Sequence, residues 1–501
     1  MNGRRPFSRK ALLIGIVVSV GLVGCAVGPN YVAPASQLVG FHNQKLVPVD
    51  RERAVPALDA WWTGFDDPML NTVVQRALDQ NLDLAASMAR VNQARAVASG
   101  AGAQLLPTVD FNASATHERQ SIDSPLGAIT SGIPGFTRNI HDYQVGPSAS
   151  WEIDLFGGLR RGAAAARAEA QAAEADQAGT RVTVAADAAD AYLQIRGYQA
   201  RIAVAEDQIK TDDHLVTLVR SRYDAGAATG REVAQADALS KQARASVPLL
   251  RMGLERQLNR LDVLMGAQPG TYAGELSVAR GLPMIPNTPP DDEPTDMLRR
   301  RPDIIAAERR LAASNERIGA ALSDYYPKFS LSTAFGFDSM SPGKLFKSTA
   351  YQGVGSLGLR WRLFDFGKVD AEVAQARGAD AEALALYRQT VLRAAEDVEN
   401  ALMALVQTQV RAVEVQDQVD ALNKARDLSE RAYRAGSITL TDVLDADRQL
   451  LTARDELDAA RTDATRSAVG VFRALGGGWH PGPTSQSTAS NAAPAEASFN
   501  R

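Results

Sequence analysis

The feature that most constrains the fold is a strand pattern that changes into a helical pattern at a glycine, and that occurs twice. Before Gly157, apolar residues alternate with polar or small ones from Tyr143 to Leu155, as in a strand with one apolar face. After Gly157 a stretch rich in Ala, Glu, Gln and Arg continues to residue 224 without a proline. The same change occurs at Gly367, 210 positions later. We therefore expect strands joined directly to unusually long helices.

This repeat extends well beyond the two glycines. The sequence Tyr-Asp-Ala-Gly at 223–226 matches Tyr-Arg-Ala-Gly at 433–436 with the same offset of 210. Upstream the offset is 220, since Asp83 matches Asp303, and the difference falls in the segment 107–151, where a loop can absorb it. Because the period is too long for a solenoid, the repeat indicates a duplicated half-molecule.

The N-terminus has the pattern of an exported lipoprotein. Four basic residues lie within the first ten positions, an apolar run follows from Ala11 to Val23, and Leu22-Val23-Gly24-Cys25 ends it. This end fits the bacterial lipobox, so we predict a signal peptide at 1–24 and a lipid on Cys25. An ordinary signal peptide or a single membrane anchor is the alternative, but the apolar run is short for a span. Cys25 is also the only cysteine, so no disulfide can form within one chain.

Four segments show strand alternation, at about 106–118, 142–156, 327–338 and 351–364. Strands of this length can cross a bilayer as tilted barrel strands, although a soluble four-stranded sheet with one buried face would alternate in the same way. The predicted lipid anchor and the long helices favour the membrane interpretation. Four strands cannot close a barrel, and open sheet edges are not tolerated in lipid. We therefore predict that several copies share one barrel, three copies giving twelve strands.

The long helices are expected at about 159–224 and 368–435, and each would extend about 100 Å at 1.5 Å per residue. Return helices at about 230–265 and 440–475 would complete two hairpins. Val443, Leu450 and Leu457 recur every seven residues, which supports coiled-coil pairing. A solvent-exposed dimeric coiled coil is the alternative.

The remaining segments are assigned from composition and capping signals. Residues 25–66 read as an irregular N-terminal arm, and Asp67-Pro68 begins one helix that is expected to reach about Gln104. We place the first repeat at 67–266, a proline-rich linker at 267–294 and the second repeat at 295–476. The tail at 477–501 is predicted to be disordered.

Composition and motifs argue against several classes of function. The formal net charge is −4, with both signs mixed, so no nucleic-acid partner is expected. The five histidines form no spaced cluster. We find no Ser/His/Asp motif, phosphate-binding glycine loop or Cys/His metal spacing, and therefore expect no enzyme, cofactor or metal.

The turns that end the two hairpins have a common pattern. Gly226 and Gly436 suit the left-handed conformation that ends a helix. Thr229 and Thr439 are the expected N-caps of the return helices, with Thr441 as an alternative in the second. The second return helix begins with the acidic set Asp442, Asp445 and Asp447. Such a set can simply complement the helix dipole. In a closed trimer, Asp442 and Asp445 would form carboxylate rings, which suit cation selection or a gate.

With these features together, residues 25–476 resemble the TolC-like outer-membrane efflux channels, especially the lipoproteins that serve resistance-nodulation-division (RND) pumps. The resemblance rests on the duplication and on a few short motifs. These are Cys25-Ala26-Val27-Gly28-Pro29-Asn30-Tyr31, Asp154-Leu155-Phe156-Gly157, Asp365-Phe366-Gly367, Tyr433-Arg434-Ala435-Gly436 and Asp442-Val443-Leu444-Asp445-Ala446.

The resemblance implies a homotrimer with a twelve-stranded β-barrel in the outer membrane, continuous with a long periplasmic α-helical barrel and girdled by a mixed equatorial domain. The family closes its periplasmic end by coiling the hairpins inward. Asp442 and Asp445 match acidic residues that line this constriction, and Tyr433 and Arg448 match positions that help to hold it shut. The first hairpin has Glu232 and Gln235 at the equivalent places, so the second hairpin alone is expected to carry the inner ring.

The resemblance further implies that the hairpin turns dock a periplasmic adaptor. Relatives commonly have Val before the turn glycine, whereas alanine stands here, which bears on the choice of adaptor. The docking residues are Ala225, Gly226 and Ala227 in the first turn and Ala435, Gly436 and Ser437 in the second. The expected function is a passive, lipid-anchored exit duct for drugs or other small molecules, working with an adaptor and an inner-membrane RND pump. The alternatives are the duct of a type I protein secretion system and a periplasmic coiled-coil tether without a pore.

Overall fold

The computed structural model describes residues 26–34, 40–47, 54–288 and 300–480. The predicted signal peptide, the lipid on Cys25 and residues 481–501 of the predicted tail lie outside these residues. The chain divides into two units, and the long helices pass from one to the other. The first unit comprises Met1–Ser36, Ala86–Gln177 and Asp303–Leu392, and the second comprises Gln37–Ala85, Ala178–Pro302 and Arg393–Arg501.

The elements follow the predicted duplication. The strands are β1 (Thr108–Arg119), β2 (Asn139–Ile153), β3 (Lys328–Ser339) and β4 (Tyr351–Arg360). The helices are α1 (Pro68–Gln80), α2 (Leu82–Ala103), α3 (Pro125–Thr130), α4 (Gly158–Asp224), α5 (Gly230–Leu264), α6 (Ala273–Leu276), α7 (Pro302–Leu322), α8 (Lys368–Arg434) and α9 (Leu440–Ala474). None of the helices within the described ranges is long and apolar enough to cross a bilayer.

In the first unit the four strands form one antiparallel sheet in the order β1-β2-β3-β4. Side chains alternate between its faces, as the sequence pattern predicts. Leu331 of β3 lies opposite Trp151 of β2 and Leu357 of β4, so an apolar row crosses three strands. The next residue, Ser332, lies opposite Ser150 and Ser356, which places a polar row on the other face.

Two predicted strands end earlier than expected, and the start of β3 explains the end of β4. β4 ends at Arg360 rather than near residue 364, because Arg360 pairs with Lys328, the first residue of β3. β2 ends at Ile153 rather than near residue 156, where Ile153 pairs with Phe329, the second residue of β3. Beyond Arg360 the ladder offers β4 no partner from β3. The chain then turns at Gly157, which has a φ of +83°.

The histidines of the sheet are less isolated than the sequence indicates. His117 of β1 lies directly opposite His141 of β2, and the centres of their rings are 4.4 Å apart. The register of the first hairpin brings them together, which spacing along the chain does not reveal. Among the described residues, no group of three or more His, Cys, Asp or Glu could hold a metal ion.

The predicted single helix from Asp67 to Gln104 is wrong, because Asn81 divides it. Asp67 is the expected N-cap, and its Oδ1 accepts from the backbone N of Met69 at 2.8 Å. Asn81 takes an extended conformation (φ −65°, ψ 130°), and its Oδ1 accepts from the backbone N of Asp83 at 2.9 Å. Its Nδ2 also donates to the carbonyl of Leu264 at 2.9 Å. Asn81 therefore caps a second helix and ties it to the end of α5.

The core of the second unit begins in the N-terminal arm, which is not irregular throughout. A 3-10 helix at Leu58–Phe65 buries Trp61, whose ring stacks on that of Phe472 with centres 5.3 Å apart. Below it, the Tyr192 hydroxyl donates to Oδ2 of Asp67 at 2.5 Å, and burial raises the pKa of Tyr192. The arm and helices α1, α4 and α9 thus share one core.

Small residues let the long helices of the second unit approach closely, as the alanine-rich sequence predicts. A Cβ atom added at Gly197 of α4 would lie 2.4 Å from Oγ1 of Thr462 on α9. One added at Gly253 of α5 would lie 2.4 Å from the ring of Tyr198 on α4. At both contacts, only glycine allows the observed spacing between helices.

Candidate functional site at the hairpin tips

The turns that end the two hairpins have the same backbone geometry. In the first turn, the N–H of Ala227 donates to the carbonyl of Arg222 at 2.7 Å, and the N–H of Gly226 donates to that of Tyr223 at 2.9 Å. This is the Schellman arrangement, which requires a left-handed residue, and Gly226 has a φ of +72°. In the second turn, Ser437 bonds to Ala432 and Gly436 to Tyr433, both at 2.9 Å, and Gly436 has a φ of +76°.

Both return helices begin at the predicted threonine N-caps. Glu232 accepts from the backbone N of Thr229 at 2.6 Å, and Asp442 accepts from the backbone N of Thr439 at 2.9 Å. Asp442 also accepts from the Thr439 hydroxyl at 2.7 Å, and these bonds lower the pKa of Asp442. The bond to the Thr229 backbone lowers the pKa of Glu232 in the same way. Each capping carboxylate is therefore committed to its own turn.

A single apolar cluster, named here the tip core, packs the ends of the two hairpins together. It draws on both long helices and both return helices, which means that neither hairpin buries its own end alone. Its buried members are Leu215, Val216, Val219, Ala236, Leu239, Tyr433, Leu440, Val443 and Leu444.

Tyr433 belongs to this tip core and not to the exposed acidic face. Its side chain is only 4% exposed, and its hydroxyl has no hydrogen-bond partner among the described residues. Burial raises the pKa of this hydroxyl. Arg222 of the first hairpin covers the ring, with its guanidinium carbon 4.5 Å from the ring centre. The same guanidinium donates to the Tyr433 carbonyl at 3.0 Å, so it binds the second hairpin at two points.

The other three predicted gate residues lie on the exposed surface of α9. Asp445 accepts from Nε2 of Gln449 at 2.7 Å, and Arg448 approaches Asp445 at 3.8 Å. Asp442 is occupied at the N-cap. Within one subunit, these contacts are local to the first turns of α9 and leave Asp442, Asp445 and Arg448 facing outward.

Asp447, the third member of the acidic set, is turned away from that surface and is only 1% exposed. Its Oδ1 accepts from Nε of Arg426 on α8 at 3.0 Å, and burial raises its pKa. Asp212 of α4 is equally buried and accepts from Nε2 of Gln208 at 2.7 Å. Burial raises the pKa of Asp212 to about 6, and the charge of Asp447 contributes to this shift.

Sequence reasoning missed three charged residues of the tips, yet the internal repeat contains a signal for them. Each stands where the other half of the chain has an apolar residue at the offset of 210. Arg222 corresponds to Ala432, Asp212 to Leu422 and Arg426 to Val216. A charge in one half with an apolar counterpart in the other half indicates a contact that is not repeated.

The chain is similar to known outer-membrane channels over most of its length. The family model for outer membrane efflux proteins matches residues 73–267 and 294–477. The pyoverdine export outer membrane protein OpmQ of Pseudomonas aeruginosa is 32% identical, with 84% of this chain and 87% of the relative covered. The outer-membrane channel OprN has a TM-score of 0.84 and 35% identity, covering 91% of this chain and 100% of that one. The open state of the MtrE outer membrane channel of Neisseria gonorrhoeae has a TM-score of 0.77 and 26% identity, covering 91% and 99%.

These similarities confirm the predicted fold class and the predicted function in efflux across the outer membrane. The two segments that match the family model include both hairpins and all four strands. Solved channels with the same fold contain the same combination of a small sheet and long helices. The chain therefore belongs to the outer membrane efflux protein family.

Proposed function

We propose that three copies of this chain form a passive exit duct, closed at the hairpin tips and anchored in the outer membrane by a lipid on Cys25. The observation that carries the proposal is the sheet β1-β2-β3-β4. Among the described residues, β1 and β4 each pair on one side only. A strand edge cannot stay unpaired in lipid, so β4 of one copy must pair with β1 of the next.

The two faces of the sheet suit this arrangement. Apolar side chains are largely exposed on one face, and Leu357 is 71% exposed. A face of this kind is costly in water and favourable against lipid. The opposite face carries Ser150, Ser332 and Ser356, which suit a water-filled lumen.

Contacts of the first described residues support the lipid anchor. The backbone N of Val27 donates to the carbonyl of Phe156 at 3.1 Å, where strand β2 turns into helix α4. Arg161 of α4 donates to the carbonyl of Gly28 at 3.3 Å and to Oδ1 of Asn30 at 3.1 Å. Cys25 lies only two residues before Val27 along the chain, so a lipid on Cys25 would be attached that close in sequence to the end of the transmembrane strands.

Asp442, Asp445 and Arg448 are assigned to the gate, with Tyr433 as part of the packing behind it. The exposed position of the first three on α9 allows them to face their counterparts around a threefold axis. Carboxylate rings at a constriction attract cations and repel anions. Replacing Asp442 and Asp445 removes six charges from a trimer and is expected to weaken closure.

The turn residues Ala225, Gly226 and Ala227 and their counterparts Ala435, Gly436 and Ser437 are assigned to adaptor docking. Both turns have the same Schellman geometry, so they offer one adaptor the same backbone shape twice per chain. Their side chains are small, which leaves backbone groups accessible to a partner. An inner-membrane RND pump would supply the energy and most of the substrate choice.

The cargo is assigned as small molecules. The relative OpmQ is named for the export of pyoverdine, and TtgF of Pseudomonas putida is named as the outer membrane protein of a toluene efflux pump. These two names cover a polar and an apolar small molecule. A duct that selects little by itself is consistent with both.

Planar-bilayer recording of the purified full-length protein tests the duct and its gate together. We expect small, cation-selective conductance for the wild type and a severalfold increase for Asp442→Asn/Asp445→Asn. The matched control is Asp417→Asn/Asp420→Asn, which removes two carboxylates from helix α8. A protein that opens no pore in either form would overturn the duct. A pore that the gate variant leaves unchanged would overturn the gate.

A further inference from the structure

Two carboxylates are buried between the hairpins, although neither belongs to the exposed acidic face. Asp212 comes from α4 of the first hairpin and Asp447 from α9 of the second, and each is 1% exposed. Each has one oxygen engaged, Asp212 by Gln208 and Asp447 by Arg426. The Oδ2 atom of each has no hydrogen-bond partner among the described residues. An unsatisfied buried carboxylate oxygen is costly unless a proton occupies it.

The charged groups around the pair do not neutralise both members. Arg426 of α8 is the nearby cation, and it also contacts Glu430 at 2.7 Å and Asp427 at 3.5 Å on its own helix. Arg454 of α9 is directed to Oδ1 of Asn423 at 2.7 Å. The guanidinium of Arg426 is thus shared among the carboxylates of Asp427, Glu430 and Asp447.

The neighbouring residue Asp213 provides an internal comparison on the same helix. Ser240 donates to Asp213 at 2.7 Å, Arg244 of α5 pairs with it, and these contacts lower its pKa. Asp213 therefore remains ionised, and its negative charge adds to the potential at Asp212. Of the two adjacent aspartates, Asp213 pairs with Arg244, whereas the buried Asp212 has no ion pair among the described residues.

We propose that Asp212 and Asp447 form a proton-binding site between the two hairpins, and that the packed tip binds this proton more tightly than the separated tip does. The proton binds the unsatisfied Oδ2 of Asp212, so that a single negative charge stays on Asp447 opposite Arg426. The ligand of this site is a proton taken from the solvent, and no bond between heavier atoms forms or breaks.

The direction of the pH effect follows from linkage. An ordinary Asp has a pKa of 3.8, and Asp212 in the packed tip has a pKa of about 6. Below pH 3.8 Asp212 is protonated in both the packed and the separated tip, so the full stabilisation of the packed tip is present. As the pH rises from 3.8 to 6, Asp212 of the separated tip loses its proton first, and above pH 6 the stabilisation of the packed tip is lost. The ratio of packed to separated tips is therefore expected to fall about tenfold between pH 5 and pH 7.5.

This inference concerns packing of the tips, and it rests on the proposed function only where packing is read as a closed gate. For this reason the test measures packing and conductance separately. Packing is measured on the full-length protein in detergent, as amide exchange of segments 208–219 and 440–450, corrected for the intrinsic pH dependence of exchange. Conductance is measured on the same preparation in planar bilayers.

The variants are Asp212→Asn, which fixes a neutral side chain of the same shape, and Asp213→Asn as the matched control. We expect wild-type protection of the tips to be about tenfold higher at pH 5 than at pH 7.5. Asp212→Asn should show high protection at both pH values, whereas Asp213→Asn should keep a pH dependence, moved to lower pH because a negative charge near Asp212 is removed. Equal protection at both pH values in the wild type, or an unchanged dependence in Asp212→Asn, overturns the proton site.

Infrared spectra and the comparison of protection with conductance decide the cases that the variants leave open. If Asp212→Asn does not assemble, infrared difference spectra of the wild type between pH 5 and pH 7.5 still decide, because a buried protonated carboxyl has its own carbonyl band. Absence of that band overturns the proposal. A protein that shows pH-dependent protection but no pore supports the proton site and counts against the duct.

Discussion

The guanidinium of Arg222 lies 4.5 Å from the centre of the Tyr433 ring and donates to the Tyr433 carbonyl at 3.0 Å. One side chain of the first hairpin therefore holds both the ring and the backbone of the second, immediately before its turn. Among the described residues, no backbone-to-backbone hydrogen bond joins the two hairpins at the tips. Side-chain contacts therefore determine how firmly the tips stay together.

Replacing Arg222 with Ala is expected to loosen the tips. Loss of the cation–π contact and the charged hydrogen bond should cost about 1–2 kcal/mol, since the arginine is partly exposed. Amide exchange of the segment 429–444 should accelerate by about tenfold or more, and the open probability in bilayers should rise. Arg220→Ala, two residues earlier on the exposed side of α4, is the control. Equal exchange in the two variants would contradict the role of Arg222.

Tyr433 should tolerate loss of its hydroxyl but not loss of its ring. Because the hydroxyl has no partner within the described part of the chain, Tyr433→Phe should change stability by less than about 0.5 kcal/mol. Tyr433→Ala leaves a cavity in the tip core and should cost about 3–5 kcal/mol. Thermal unfolding and single-channel closing rates of the two variants measure this difference. A strong gating defect in Tyr433→Phe would instead show that the hydroxyl bonds across subunits.

The two faces of β4 should respond in opposite ways to a positive charge. Leu357→Arg places a guanidinium on the apolar face, at a cost of about 2–4 kcal/mol per chain if that face meets the lipid interior. Ser356→Arg, one residue earlier, places it on the polar face. We expect the first variant to lose heat-stable trimers and membrane insertion. The second should assemble and shift ion selectivity toward anions, and the opposite pattern would reverse the assignment of the faces.

Gly197 should be far less tolerant of a methyl group than another glycine of the same helix. An alanine Cβ at Gly197 would lie 2.4 Å from Thr462 Oγ1, so Gly197→Ala should destabilise the chain by about 1–3 kcal/mol. At Gly162 nothing lies within 4 Å of the added atom, and Gly162→Ala should be neutral or stabilising by about 0.5–1 kcal/mol. Chemical unfolding compares them. Thr462→Ala should restore part of the loss at Gly197, and its failure to do so would place the strain elsewhere.

Much of this architecture could be predicted from the sequence because the patterns that indicate strands and helices extend over many residues. Alternation over ten residues and helical composition over nearly seventy leave little ambiguity about the type of element. The ends of elements were harder to predict, since they depend on partners. β4 ends where β3 begins, at the pair Lys328–Arg360, and no property of Trp361 or Leu363 indicates this end.

The break at Asn81 and the interior of the tips illustrate a second limit. Asn81 matters because its side chain reaches the carbonyl of Leu264, a contact between residues 183 positions apart. Spacing alone groups Asp447 with Asp442 and Asp445, yet Asp447 is buried and pairs with Arg426 of a different helix. Pairings between helices are set by packing, and a pattern read along one helix does not contain them.

The three charges without a counterpart in the repeat have a wider consequence. A ring assembled from six identical half-chains could reproduce every turn and every helix cap. It would repeat Arg222 and Asp212 in every half, whereas the second half of this chain has Ala432 and Leu422 at the corresponding positions. Fusing two diverged halves into one polypeptide lets adjacent hairpins differ in side-chain chemistry while their backbones stay alike. The charges at the hairpin tips can therefore change without any change in the backbone of the helices.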